Sequence, residues 1–359
     1  MPARQTRVIR VDPAHPDPNA LADAARRLRE GGLVVFPTET VYGLGANALD
    51  VTAVRGIFEA KGRPSTDPLI VHVADASELP SLVRDVPDTV GRLTARFWPG
   101  PLTLILPKQQ HVPGEVTAGL DTVAVRVPAH PVARALIAAA GRPVAAPSAN
   151  RFSRPSPTDA AHVLADLDGR VDIVIDAGRT DVGVESTVLD LSVHPPLVRR
   201  PGGVSVDAIR TILPDVQVMS RFTDAGEAQI SPGQLLRHYA PRARMTLVEG
   251  EPHAAAARVL AETRARLALG VRMGILAPAE DAAMVSELLD DAGAGGRVTV
   301  RIFGSRAEPE QAARELFDAI RTLDAAGPDE ILAIAPAQEG IGLAIHDRLI
   351  RAAEGRVLR

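Results

Sequence analysis

From residue 245 onwards the chain alternates short apolar runs with stretches whose apolar residues recur at helical spacing, and no other feature constrains the fold as strongly. Strands are expected at 245–248, 272–276, 298–303 and 330–335, with helices at 253–268, 280–291, 308–325 and 342–353. Repeated β-α is the pattern of a parallel sheet wound with helices. Residues 245–359 are therefore expected to form a smaller, Rossmann-like α/β domain. No cluster of polar residues stands out within it. Gly293-Ala294-Gly295-Gly296 precedes a strand rather than a helix, which makes it a loop rather than a phosphate cradle.

The first 215 residues alternate less evenly. A four-residue apolar run closed by Pro37 reads as a strand buried on both faces, and further strands are expected at 8–11, 69–73, 102–106, 123–127, 144–146, 171–175 and 188–191. Asp17-Pro18 caps a helix with Leu21, Ala24, Ala25 and Leu28 on one side, ended by Gly31-Gly32. Asp50 caps a second, with Val51, Val54, Ile57 and Phe58 on its buried side, which stops at Lys61-Gly62-Arg63-Pro64. Helices at 88–97, 131–140 and 158–166 fit between the later strands. This mixture predicts a twisted, mixed α/β sheet over 1–215. Residues 216–244 lose the rhythm and carry Ser231-Pro232-Gly233 and His238-Tyr239-Ala240-Pro241, so they read as an interdomain linker.

Bulk properties exclude several functions. A net charge of -4 and a pI near 6.2 argue against a constitutively basic nucleic-acid binder, and 3% aromatic residues against base stacking as the main mode of recognition. The absence of cysteine removes disulfides, thiolate zinc sites and a cysteine nucleophile together. The first twenty residues lack the apolar core of a signal peptide and no run is long enough to span a membrane, so a cytoplasmic protein is expected.

Thr38-Glu39-Thr40 follows the buried strand before Pro37, and in open α/β sheets the crevice beyond such strand ends receives ligands. Gly43-Leu44-Gly45-Ala46-Asn47-Ala48 has the form of a dinucleotide fingerprint, but six residues separate it from Phe36 and the next helix waits until Asp50. Gly43 and Gly45 are instead read as turn-formers. Lys61-Gly62-Arg63 sets two cations on a proline-bounded turn, suited to an oligophosphate, with Lys as a point charge and Arg as a fork. Pro147-Ser148-Ala149-Asn150 brings a hydroxyl and an amide to another strand end. His72 and Arg126 interrupt apolar strands, and a guanidinium among apolar neighbours needs an anionic partner. Glu185-Ser186-Thr187 and Arg199-Arg200-Pro201-Gly202-Gly203 flank later strands. Each cluster alone reads as well as a surface turn, a cap or a satisfied core residue; together they converge on one anion-binding crevice.

The runs Phe36-Pro37-Thr38-Glu39-Thr40-Val41-Tyr42-Gly43-Leu44, Lys61-x-Arg63-Pro64, Pro68-Leu69-Ile70-Val71-His72, Trp98-Pro99-Gly100-Pro101-Leu102-Thr103, Pro147-Ser148-Ala149-Asn150 and Ser186-Thr187 resemble the YrdC-like threonylcarbamoyl-AMP synthases, in their two-domain form. The resemblance implies an enzyme that makes threonylcarbamoyl-AMP from L-threonine, bicarbonate and ATP and releases pyrophosphate, for threonylcarbamoyladenosine modification of ANN-decoding tRNAs by a separate transferase complex. It implies that Lys61, Arg63, Ser148 and Asn150 form the signature tetrad at the nucleotide site, joined by Thr122, Ser156, Arg200 and Tyr239. It assigns threonine to Thr38, His72, Arg126 and Ser186. Mg²⁺ would arrive with ATP, no metal would be held by protein alone, and direct tRNA binding would be weak or absent.

The residues agree with that chemistry. A carbamate of threonine attacking the α-phosphate needs no covalent enzyme nucleophile, so positioning and charge neutralisation carry the rate. Two departures from the family pattern stand out: Asp67 before Pro68-Leu69, where Asn is usual, and Gln234-Leu235-Leu236 after Ser-Pro-Gly. Two other readings compete. One is an RNA-binding module without chemistry, which predicts strongly salt-dependent RNA binding. The other is a carbamoyl-handling domain like those of hydrogenase maturation, which predicts that carbamoyl phosphate rather than threonine drives AMP formation.

Overall fold

The computed structural model describes residues 5–219, 236, 238–281 and 296–359. Ser231-Pro232-Gly233, Gln234-Leu235 and most of the helix expected at 280–291 lie outside the described residues. The chain divides into two compact units, Met1–Phe152 with Ser156–Leu235, and Ser153–Pro155 with Leu236–Arg359.

The first unit begins with β1 (Arg7–Arg10), α1 (Pro18–Arg29), β2 (Val34–Pro37), β3 (Tyr42–Asn47), α2 (Val51–Lys61) and β4 (Ile70–His72). There follow α3 (Asp88–Phe97), β5 (Leu102–Pro107), α4 (Gly114–Thr117), β6 (Thr122–Arg126), α5 (Pro131–Ala140) and β7 (Val144–Ala145). Then come α6 (Ala160–Leu167), β8 (Ile173–Asp176), β9 (Thr187–Asp190), β10 (Leu197–Arg200), α7 (Val206–Arg210) and β11 (Gln217–Val218). The strands form one mixed sheet in the order β1-β8-β2-β3-β7-β4-β6-β5-β9-β10-β11. The expected mixed α/β sheet is therefore present.

Local chemistry explains the elements. The Asp17 side chain accepts from Asn19 N ahead of α1, and Leu21, Ala24, Ala25 and Leu28 are buried with Val132, Leu136 and Ile137 of α5 over Phe36 and Ile175. Asp50 caps α2 through Thr52 N and Ala53 N. The helix stops because Gly62 takes φ +66°, a left-handed conformation open to glycine, which leaves Lys61 as its last residue and turns Arg63 away.

One expectation needs correction. Gly43 and Gly45 are not turn-formers: they lie in β3, which pairs antiparallel with β2 as Phe36↔Gly43 and Val34↔Gly45. A Cβ on Gly45 would sit 2.7 Å from Phe36 Cε1 and 2.9 Å from Val144 Cγ1, so the glycine admits neighbouring side chains rather than bending the chain. Thr38-Glu39-Thr40 becomes the connection of a β-hairpin.

In the second unit β12 (Arg244–Val248), α8 (Pro252–Ala268), β13 (Met273–Ala277), β14 (Val298–Ile302), α9 (Pro309–Ala325), β15 (Glu330–Ile334), α10 (Gly342–Ala352) and β16 (Val357–Leu358) build a five-stranded, all-parallel sheet in the order β14-β13-β15-β12-β16. Its core joins Val259 and Leu267 of α8 to Ile275, Leu332 and Ile334 of the sheet. The parallel sheet is as expected, but the unit does hold a polar cluster. Arg348 and Arg351 are fully buried on α10, with Asp347 2.7 Å from Arg348 Nη1 and 3.0 Å from Arg351 Nε. Asp347 and Arg351 stand four residues apart on the helix, the spacing of neighbouring side chains, which was the available signal for this pairing.

Candidate active site

Sheet register sorts the expected site residues of the first unit into two groups. β4 and β6 run parallel with His72 opposite Arg126, β5 runs antiparallel to β6 and parallel to β9, and β10 runs antiparallel to β9. The ends of β4, β6 and β10 and the beginnings of β5 and β9 thus share one side of the sheet. His72, Arg126, Arg200, Thr103 and Ser186 gather there. At the opposite ends of the same strands lie Thr122, Pro68 with Arg63, and the Ser148–Asn150 turn after β7. Ile70, Ile105, Ala124 and Val188 form an apolar cluster between the groups. Each is two residues from a polar member of the first group, so one sheet face carries both the apolar floor and the polar rim.

At the first end Arg126 is 3% exposed: Nη1 donates to Thr40 Oγ1 at 3.0 Å, Nε donates to Gly100 O at 3.2 Å, and Nη2 lies 2.6 Å from Glu39 Oε1 without a hydrogen bond among the described residues. Glu39 is the anionic partner that a buried guanidinium requires. Among the described residues neither Glu39 oxygen accepts a hydrogen bond. Thr40 Oγ1 also lies 2.8 Å from Thr38 Oγ1, and Thr38 Oγ1 donates to Val41 O at 2.6 Å, which pins the hairpin turn.

His72 Nδ1 donates to Ile70 O at 3.3 Å. Burial first, and the Arg126 charge second, push its pKa down to about 3, so it is a neutral imidazole at physiological pH. Ser186 Oγ pairs with Thr103 Oγ1 at 2.8 Å, and Arg200 Nη2 donates to Ser186 O at 2.9 Å and to Ser186 Oγ at 3.3 Å. Ser156 donates to Glu185 Oε1.

At the second end Lys61 Nζ donates to Ser148 O and Asn150 O, both at 2.6 Å, and lies 3.5 Å from Asn150 Oδ1. Arg63 is ion-paired with Asp67 at 2.7 Å, both buried, and donates through Nη2 to Pro68 O at 2.8 Å. Asp67, a departure from the family pattern, is therefore the counter-ion of Arg63. The two ends meet along β3: Ala149 N donates to Tyr42 O at 2.8 Å, and Gly43 bridges Ser148.

The structure brings Lys61, Arg63, Ser148 and Asn150 together, with Thr122 at the head of β6. It groups Thr38, His72, Arg126 and Ser186 at the other end, and attaches Arg200 to Ser186. Tyr239 belongs to the second unit, where its ring is buried 5.3 Å from Phe317 with the Arg348 guanidinium 5.4 Å from its centroid. Glu39, Thr40, Asp67, Thr103 and Glu185 stood in clusters or motifs noted from the sequence, but none was given a role there. Asp67 four residues after Arg63 was the available signal for one of them; the others need the register. Among the described residues no helix is long and apolar enough to cross a membrane.

Residues 26–202 match the family model described as "Telomere recombination", and residues 204–354 match "Threonylcarbamoyl-AMP synthase, C-terminal domain". The threonylcarbamoyl-AMP synthase of Bacillus subtilis is 46% identical over 340 residues, covering 94% of each chain. The chain belongs to the threonylcarbamoyl-AMP synthase family. The synthase of Pyrococcus abyssi is 44% identical over 341 residues, again 94% of both chains. The crystal structure of P. abyssi Sua5 complexed with L-threonine superposes with a TM-score of 0.89 at 41% identity and covers 98% of both chains. Family membership thus extends over both units.

Proposed function

We infer that this chain catalyses formation of threonylcarbamoyl-AMP and pyrophosphate from L-threonine, bicarbonate and ATP. The observation that carries the reading is the single sheet face of the first unit: a guanidinium–hydroxyl end, an apolar floor, and a lysine–arginine end. Such a face suits an amino acid and a nucleotide held end to end, and full-length membership of the synthase family supplies the chemistry.

In this reading Arg126 receives the threonine carboxylate, Thr38, Ser186 and neutral His72 surround its polar groups, and Arg200 supports Ser186. Lys61, Arg63, Ser148 and Asn150 take the triphosphate end, with Thr122 beside the nucleotide, whereas Ser156 and Arg200, expected with them, contact Glu185 and Ser186. Threonine's amine joins bicarbonate to give a carbamate and water. A carbamate oxygen then attacks the α-phosphorus, the bond to the β-phosphate bridging oxygen breaks, and pyrophosphate leaves with that electron pair. The protein's part is to align the two reactants and offset charge on the leaving group. Mg²⁺ enters with ATP: a donor set of lysine, arginine, serine and asparagine fits a metal carried by phosphate oxygens better than one caged by carboxylates. Tyr239 is expected at the ATP site on the family resemblance alone. The product passes to a separate transferase that modifies ANN-decoding tRNA in the cytoplasm, with weak or no direct tRNA binding by this chain.

The test is pyrophosphate release that requires both threonine and bicarbonate and is lost in folded Lys61→Ala or Arg63→Ala variants. Release that ignores threonine would overturn the reading.

A further inference from the structure

The ion pair of Glu39 and Arg126 is asymmetric. Arg126 spends Nε and Nη1 on Gly100 O and Thr40 Oγ1, which are fixed parts of the fold, and turns Nη2 to Glu39. Glu39 is 6% exposed, yet among the described residues neither of its oxygens accepts a hydrogen bond. A carboxylate has about four acceptor positions, and here the Arg126 Nη2 contact at Oε1 is its one ion pair among the described residues, which leaves Oε2 unmet in the interior at a cost. The turn itself is held firmly: Val182 N donates to Glu39 O at 2.8 Å and Gly183 N to Thr40 O at 3.1 Å. The carboxylate is thus placed by a rigid backbone but not satisfied by it.

We propose that Glu39 receives the α-ammonium group of the amino-acid substrate and so restricts this site to zwitterions. The assignment rests on the threonine reading above and adds the residue that reads the substrate's positive end. The charge arithmetic supports it. Arg126 and Glu39 sum to zero, and a zwitterion laid between them keeps that sum at zero while its carboxylate meets Nη2 and its ammonium meets the empty acceptors of Glu39. A hydroxy acid or other monoanion at the same place leaves one uncompensated negative charge in a buried site. Without substrate, Glu39 stands in for the missing carboxylate as counter-ion of Arg126. Thr38 and Thr40, which link the turn to the guanidinium through the 2.8 Å hydroxyl contact, keep the two charges in register.

The experiment is calorimetric binding of L-threonine and of 3-hydroxybutanoate, which lacks only the α-ammonium, to the full chain and to Glu39→Gln and Glu39→Asp variants checked for folding by circular dichroism. The wild-type chain should prefer threonine by at least a hundredfold. Glu39→Gln, isosteric and neutral, should reduce that preference at least tenfold, chiefly by weakening threonine, and Glu39→Asp should restore part of it. Equal weakening of both ligands in Glu39→Gln would mean that Glu39 only holds Arg126 in place, and an unchanged preference would mean that it is a bystander; either overturns the assignment alone. A wild-type chain that binds no threonine overturns the proposed function with it.

Discussion

Lowering the pH from 8 to 5 should cost the first unit about 2 kcal/mol through His72 alone, and replacing His72 with Gln should remove that cost. The imidazole is 3% exposed at the end of β4, with burial as the larger and Arg126 as the smaller cause of a pKa pushed down from 6.5 to about 3. In the unfolded chain the same group takes up its proton as pH falls through 6.5, while the folded chain does not until about 3. The unfolded state therefore binds more protons throughout that window, so the stability contributed by neutral His72 is complete above the unfolded value and is lost progressively below it. At pH 5 the unfolded group has moved about 1.5 units past its pKa, which at about 1.4 kcal/mol per unit gives the figure above. Urea unfolding followed at pH 8 and pH 5 in both proteins isolates the term, because any pH-independent packing cost of the Gln side chain cancels in the double difference. A second measurement is the His72 imidazole resonance, assigned by its loss in the variant, which should stay fixed between pH 8 and pH 5. Parallel stability losses in the two proteins, or a resonance that titrates in that range, would refute the claim that Arg126 and burial hold His72 neutral.

Gly45→Ala should destabilise the first unit by about 1–3 kcal/mol, read from its unfolding midpoint, because the new methyl group would meet both Phe36 and Val144. Asp347→Asn should destabilise the second unit by on the order of 3 kcal/mol by leaving the buried Arg348 and Arg351 with a neutral neighbour. Burial raises the Asp347 pKa, but Arg351 and Arg348 outweigh it and hold the value below the usual carboxylate range, so the wild-type contribution should be full at neutral pH and vanish as acid protonates the group. Ala124→Leu, on the floor between the two ends of the site, should leave threonine binding within a few-fold of wild type while lowering pyrophosphate release at least tenfold, as measured by calorimetry and a coupled phosphate assay.

Helices and the parallel sheet were legible because their signals are local: a cap such as Asp50, a terminator such as Gly62, and apolar spacing over one segment. Gly43 and Gly45 were misread for the opposite reason. What makes them strand residues is the approach of Phe36 and of Val144, which is about a hundred residues away, and nothing in the glycines themselves announces it. The site was legible as a set of residue types at strand ends, but not as an arrangement. Which cluster faces which depends on β5 and β9 running together and against β6 and β10, a property of pairing across long separations. Asp67 shows the same limit on a smaller scale, since a substitution that looks like a departure becomes intelligible once its carboxylate is seen 2.7 Å from Arg63.

The spacing of the two ends follows from the strands rather than from the loops. Thr122 and Arg126 are the first and last residues of β6, so four steps of about 3.3 Å put roughly 13 Å between the two ends of the face that the proposed function gives to the nucleotide and the amino acid. A strand cannot shorten that distance, and its neighbours β4 and β5 are hydrogen-bonded to it in fixed register. The separation is on the scale of an amino acid joined through a phosphate to a nucleoside, which is the shape of the product rather than of either substrate. Catalysis by alignment requires just that: contacts realised together only when the carbamate and the α-phosphorus are in line. The floor between them, Ile70, Ile105, Ala124 and Val188, presents no charged or hydroxyl side chain at the junction, so under the proposed function the new mixed anhydride would form over side chains that cannot attack it.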